Sequence, residues 1–195
     1  MKKIYFLAGL PRSGSTVLAA LLQQHPELHA TSTSGLLDML IGTLDAWANS
    51  LGQKSQVQDD KEKDREIQKI LQSICLAKYE NLDKRVILDK HRSWPTPANI
   101  KTMERVFGHK PKIVATVRNV EDCVASMVRV VKPNDLTEFC RHSDLVQHIK
   151  DSYTTLQSGN LAYPECIHFV EYDDLVDNPV ETLRKVEQFL ELDPH

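Results

Sequence analysis

No stretch of this 195-residue chain is long and apolar enough to span a bilayer. The longest apolar run, Ile4 to Leu10, falls far short of the roughly 20 residues a spanning helix needs, so no membrane partner is expected. Met1-Lys2-Lys3 ahead of that run resembles a leader peptide, but Gly9, Pro11 and Arg12 interrupt it too soon, and it reads as a buried strand. Cysteine is scarce. The four, at 75, 123, 140 and 166, show neither C-x-x-C nor zinc spacing, which excludes a disulfide scaffold and favours reduced packing thiols and a cytoplasmic location. An excess of either charge is also lacking: 24 Lys+Arg against 27 Asp+Glu leave a net charge of −3. That balance argues against nucleic acid as a partner while leaving room for a local basic pocket. No repeat or composition break divides the chain, so residues 1–195 are expected to form a single domain around one core. No His/Cys/Asp/Glu cluster has ligand spacing, and no metal is expected.

What is present is an alternation of strand and helix patterns. Lys3 to Gly9 reads as a strand, Thr16 to Gln24 as a helix and Leu28 to Ala30 as a short strand. Ser34 to Ala48 reads as a helix and Gly52 to Asp64 as an exposed polar connection. Glu66 to Leu82 is helical by the i, i+3, i+4, i+7 spacing of Ile67, Ile70, Leu71 and Ile74. Arg85 to Asp89, Lys112 to Val117 and Ile167 to Glu171 are further strands. Ala98 to Phe107, Val120 to Val131 and Asp135 to Gln157 are further helices. Asn178, Pro179 and Glu181 form a capping-box pattern that opens a last helix. The alternation predicts an α/β, three-layer αβα fold with a mainly parallel central sheet, of the phosphate-binding-loop (P-loop) NTPase-like kind.

The first chemical signal is Gly9-Leu10-Pro11-Arg12-Ser13-Gly14-Ser15-Thr16, which keeps the spacing G-x-x-x-x-G-K-[ST] but has Ser15 where the lysine belongs. Glycines there let backbone N–H groups converge on an anion at a helix N-terminus, where the dipole also favours negative charge. Loss of the lysine weakens any claim on a triphosphate, and Arg12 supplies a planar, forked cation instead. The second signal is Arg118 at the end of a strand, with Ser126 eight residues later on the next helix. Ligands of open α/β sheets bind beyond the carboxyl ends of the strands, where an arginine suits a phosphate. On that helix Val120, Val124, Val128 and Val131 are expected to be the buried stripe, with Asp122, Ser126 and Arg129 on another face.

With these motifs the sequence resembles the sulfotransferase family that uses 3′-phosphoadenosine 5′-phosphosulfate (PAPS). The likeness rests on Pro11 to Thr16, on Val117-Arg118-Asn119 with Ser126, and on Phe169-Val170-Glu171-Tyr172-Asp173-Asp174-Leu175 followed by Asn178-Pro179. The resemblance implies that Arg12, with Ser13, Gly14, Ser15 and Thr16, holds the 5′-phosphosulfate. It also implies that Arg118 and Ser126 hold the 3′-phosphate, and that Tyr172 lies near the nucleotide, although an aromatic capping the sheet is an equally good reading of that tyrosine. Desulfated donor, 3′-phosphoadenosine 5′-phosphate (PAP), would be the product. Arg12 and Lys90 are the candidates for stabilising charge on the bridging oxygen. His91 is the candidate general base, offset by one residue from the histidine of cytosolic members, and Asp38 is a remote alternative. The family's basic, glycine-containing C-terminal segment has no counterpart after Leu192, so the domain is expected to lack that lid. Two rivals remain: a P-loop small-molecule kinase, and a degenerate non-catalytic nucleotide-binding module. The acceptor, a hydroxyl or amine compound, is not legible; Trp47, Trp94 and Met39 are pocket candidates that core packing explains as well. Oligomeric state is equally silent.

Overall fold

A computed structural model describes residues 2–54 and 60–193 of the chain. Five strands, β1 (Lys3–Gly9), β2 (Leu28–Thr33), β3 (Val86–Lys90), β4 (Ile113–Val117) and β5 (Ile167–Glu171), form one parallel sheet in the order β2-β3-β1-β4-β5. The central position of β1 explains its unbroken apolar run, because a parallel strand covered on both faces has no solvent side. Alternate residues feed two layers. Ile4, Phe6 and Ala8 pack with α2 (Leu36–Lys54), α3 (Asp60–Lys78), α4 (Pro97–Phe107) and α7 (Asp144–Ala162). Tyr5 and Leu7 pack with α1 (Ser15–Leu22) and α9 (Pro179–Phe189). The expected three-layer fold is therefore present. All strands run the same way, so their carboxyl ends line one edge, where the β1–α1 loop, Lys90, Arg118 and Tyr172 all lie.

Several elements depart from the sequence pattern for physical reasons. The region 135–157 is two helices, α6 (Leu136–His142) and α7, because Ser143 leaves the helical conformation and its hydroxyl caps the Leu145 N–H. Helix α5 (Val120–Val131) packs against α7 and reaches the core through Cys123, with Val124 beside it. The valine column is thus not the buried stripe: Val120 and Val131 are exposed, and Val124 and Val128 half-buried. The polar connection expected over Gly52 to Asp64 is helical where described, since α2 runs to Lys54 and α3 starts at Asp60; residues 55–59 lie outside the described residues. Asp64 there pairs with Arg105 of α4. The capping box at Asn178 does not form. A short helix, α8 (Tyr172–Asp177), ends on Asn178, whose N–H donates to the Asp174 carbonyl at 2.9 Å and is lost to Glu181. Glu181 faces Lys185 instead. Trp94 is buried core and Trp47 packs against it, whereas Met39 is exposed.

Candidate functional site

The β1–α1 loop is built by its own hydrogen bonds. Leu10 N–H donates to the Thr116 carbonyl at 3.1 Å, and Ser13 N–H to the Leu10 carbonyl at 3.2 Å. The Ser13 hydroxyl is fully buried, 2.6 Å from the Leu10 carbonyl and 2.6 Å from Thr116 Oγ1. Ser13 thus braces the loop against β4, with both its amide and its hydroxyl occupied inside the protein. Gly9 has to be glycine, because a Cβ there would fall 2.2 Å from Thr116 Oγ1. Arg12 holds a φ of 70°, uncommon for a residue with a side chain and characteristic of functional turns.

Gly14 caps α1 without a side chain, and the first intrahelical bond runs from Leu18 N–H to the Gly14 carbonyl at 2.9 Å. The amides of Ser15, Thr16 and Val17 therefore have no intrahelical acceptor, and no acidic residue occupies that turn. This is the electrostatics of an anion site. The missing loop lysine is answered in space by another strand: Lys90, at the end of β3, donates from Nζ to Thr16 Oγ1 at 3.3 Å. Burial lowers the Lys90 pKa below the ordinary lysine value, as it must for an ammonium held without a carboxylate. His91 follows at the point where the strand has ended. Its Nδ1 accepts from Ser93 N–H at 3.1 Å, which leaves Nε2 as its second ring nitrogen. Lys90, His91, Thr33, Ser15 and Pro11 surround a recess of about 220 Å³.

On the other side of the loop, Arg12 Nε donates to Ser126 Oγ on α5 at 3.2 Å. The Arg118 guanidinium lies 4.0 Å above the Tyr172 ring centroid, a cation–π contact, and Arg118 Nε is 3.9 Å from the Asp122 carboxylate. That is too long for a hydrogen bond, so Arg118 Nε is buried with no acceptor in the protein. Tyr172 in turn covers the loop, since a Cβ on Gly14 would sit 2.7 Å from Tyr172 Cδ2. Arg12, Gly14, Ser15, Thr16, Lys90, His91, Arg118, Ser126 and Tyr172 are thus brought together at one edge. Asp38, in the first turn of α2, is exposed and makes no hydrogen bond or ion pair with them among the described residues. The uncapped helix end and the orphaned Arg118 Nε together fit a ligand with two separated anionic groups, which is the charge layout of PAPS.

Asp89 is a residue whose part the sequence pattern hides. It is fully buried next to Lys90 and accepts from Trp94 Nε1 at 3.0 Å, from Ser34 Oγ and from the Tyr79 hydroxyl. Burial and the Asp89 charge raise the Tyr79 pKa, and the same two causes push the Cys75 thiol up to about 12. Cys75, Cys123 and Cys166 are buried packing thiols, whereas Cys140 on α6 is exposed and does not pack as the sequence reading expects; all four are unpaired.

The sulfotransferase family profile matches residues 5–195. Among curated relatives, the chain is 25% identical over 196 residues to a Caenorhabditis briggsae protein assigned by name to the protein-tyrosine sulfotransferases, covering 98% of this chain and 66% of that protein. It is 23% identical over 198 residues to protein-tyrosine sulfotransferase 2 of Gallus gallus, covering 96% of this chain and 50% of that protein. The chain therefore spans between half and two thirds of the length of these relatives. Solved structures with the same fold include a sulfotransferase of Alicyclobacillus acidocaldarius (TM-score 0.65, 13% identity, 100% of this chain and 83% of that one). The sulfotransferase domain from the curacin biosynthetic pathway matches with TM-score 0.62 at 21% identity, over 99% of this chain and 75% of that one. A mouse sulfotransferase complexed with PAP matches with TM-score 0.61 at 17% identity, over 100% of this chain and 60% of that one.

Proposed function

Because this chain belongs to the sulfotransferase family, we propose that it transfers a sulfuryl group from PAPS to a hydroxyl or amine acceptor. The observation that carries the reading is the meeting of three sequence-distant motifs around one anion-shaped edge: Arg12 on Ser126, Arg118 over Tyr172, and Tyr172 against Gly14. The mouse protein of the same fold is complexed with PAP, the product such a site would release. PAPS supplies an activated sulfuryl group: the acceptor atom forms the new bond to sulfur, the bridging S–O bond breaks toward the 5′-phosphate, and the acceptor proton leaves.

The protein's share is positioning and charge. The free amides of Ser15, Thr16 and Val17 and the Arg12 fork hold the 5′ end, within the reach of fixed, charge-assisted donors. Lys90, already on Thr16, keeps an ammonium beside that group and stabilises negative charge as it grows on the bridging oxygen. Arg118 Nε gains the acceptor it lacks from the 3′-phosphate, with the Ser126 hydroxyl as second donor and the Tyr172 ring beneath. His91 takes the acceptor proton on Nε2, its other nitrogen being fixed by Ser93. The names of the curated relatives favour a phenolic hydroxyl as the acceptor group. A cytoplasmic setting, suggested by the cysteine pattern, belongs to the same proposal. The test is PAP release from PAPS with phenol and amine acceptors in magnesium-free buffer. Lys90→Ala is expected to lower turnover at least a hundredfold with PAP affinity changed far less, on the scale of one removed transition-state donor. PAP binding without turnover by any acceptor would leave a binding module.

A further inference from the structure

A cavity of about 580 Å³ opens at the amino ends of the strands, on the opposite edge of the sheet from the anion loop, and its size is that of a small-molecule site. Lys3 at its rim stands roughly 20 Å from Gly9, because a strand rises about 3.3 Å per residue. A gap in the sheet makes the cavity. Pairing of β1 with β3 starts at Lys3 opposite Val86, but pairing with β4 starts only at Phe6 opposite Ile113. Residues 3–5 therefore have no strand on their β4 side, and Phe107, His109, Lys110 and Lys112 border the space instead. Phe6 N–H donates to the Lys112 carbonyl at 3.0 Å, so by strand alternation the Ile4 N–H points the same way, toward that space. The walls are apolar: Ile4 and Tyr5 of β1, Leu76 of α3 and Phe107 at the end of α4. Leu76 is 47% exposed, an apolar side chain that the fold leaves half uncovered.

The charge around these walls is of one sign. Lys2, Lys3, Lys110 and Lys112 border the cavity with a single carboxylate, Glu191. Lys112 pairs with Glu191 at 2.7 Å, and Lys110 pairs with Glu165 outside the cavity. Lys2 donates to the Tyr79 carbonyl at 2.6 Å and to the Leu82 carbonyl, neutral groups that leave its charge uncompensated. Lys3 is exposed and makes no hydrogen bond or ion pair among the described residues. Lys112, with Lys3 and His109 adding to it, holds the Glu191 carboxyl below the ordinary carboxylate range, so this rim already favours a carboxylate in its charged form. We propose that the cavity is a second binding site, separate from the donor edge, for small carboxylate anions with an apolar aryl or alkyl body. The carboxylate pairs with Lys3, next to the uncompensated Lys2, and the body covers Leu76 and Phe107. One unpaired ammonium at the rim suits a single negative charge, and the apolar walls exclude a compact inorganic anion as the preferred occupant. The assignment stands on the cavity alone and does not depend on the sulfotransferase reading.

The experiment is calorimetric titration of the full chain at low salt with 4-phenylbutanoate, its neutral analogue 4-phenylbutan-1-ol and the cationic 4-phenylbutylamine. The butanoate is expected to bind about fivefold tighter than the alcohol, the worth of a partly exposed ion pair, and the amine weakest. Lys3→Gln is expected to abolish the advantage of the butanoate and leave binding of the alcohol unchanged. Leu76→Glu, which puts a charge on the apolar wall, is expected to weaken the butanoate and the alcohol at least tenfold each. Both changes are at exposed positions. A titration in the presence of PAP is expected to give the same butanoate affinity as one without it. Equal binding of the three compounds, no binding of the butanoate, or a preference that survives both substitutions overturns the proposal. Competition between the butanoate and PAP would move the carboxylate to the donor edge and overturn it as well.

Discussion

Replacing Gly14 by alanine tests the way the loop and Tyr172 are built into one another. Gly14 has a φ of 88°, a left-handed conformation that costs an L-residue about 1–2 kcal/mol. The new Cβ would also lie 2.7 Å from Tyr172 Cδ2, and displacing a packed ring costs about 1–3 kcal/mol. Together these give a destabilisation of about 3 kcal/mol, or roughly 6–12 °C in Tm for a chain of this size. The two parts separate in a double-mutant cycle followed by urea unfolding. On a Tyr172→Ala background the steric part vanishes and only the backbone part remains, so the coupling energy is expected to be about 1–2 kcal/mol. Additive effects of the two substitutions, or a Gly14→Ala chain as stable as the parent, would refute the packing of Tyr172 over the loop.

Other consequences follow from particular contacts. Asp89→Asn presents an amide to Tyr79, Trp94 and Ser34, three donors that need an acceptor, and is expected to lower stability by about 2–4 kcal/mol in urea; an unchanged midpoint would remove the carboxylate from its central place. Because burial lowers the Lys90 pKa, its charge is lost as pH rises through a value below the ordinary 10.5, and kcat should fall there. Lys90→Arg should move that alkaline limb upward, and a limb that stays in place assigns it to another group. Between the folded and unfolded pKa values of Lys90 the unfolded chain binds more protons, so this residue's contribution to stability rises with pH in that window. His91→Ala is expected to remove turnover while leaving PAP affinity intact, and retained turnover would clear His91 of the base role.

The sheet was legible because β1, β3 and β4 carry apolar runs that only doubly covered strands need, and the anion loop because its glycines and arginine are contiguous. The joining of Arg118 and Ser126 to that loop followed from their place beyond a strand end. Other features depended on tertiary partners. Ser13 looked like a ligand-facing hydroxyl, but its side chain turns toward Thr116, a residue 103 positions away. The Lys90 contact with Thr16 spans 74 positions, and no local pattern shows that a β3 lysine stands near the place a loop lysine would fill. The valines of α5 had helical spacing yet lie on its flank, because α5 meets the core through Cys123. Ser143 and Asp135 were readable caps masked by the apolar period that continues across them.

The most direct test of the central claim is calorimetric binding of PAP beside ATP in magnesium-free buffer, for the parent chain and Arg118→Ala. The account predicts a preference for the 3′-phosphorylated nucleotide that Arg118→Ala weakens by roughly 30- to 150-fold, the worth of one buried charged donor. Binding of ATP in preference to PAP, or PAP affinity indifferent to Arg118, would contradict it.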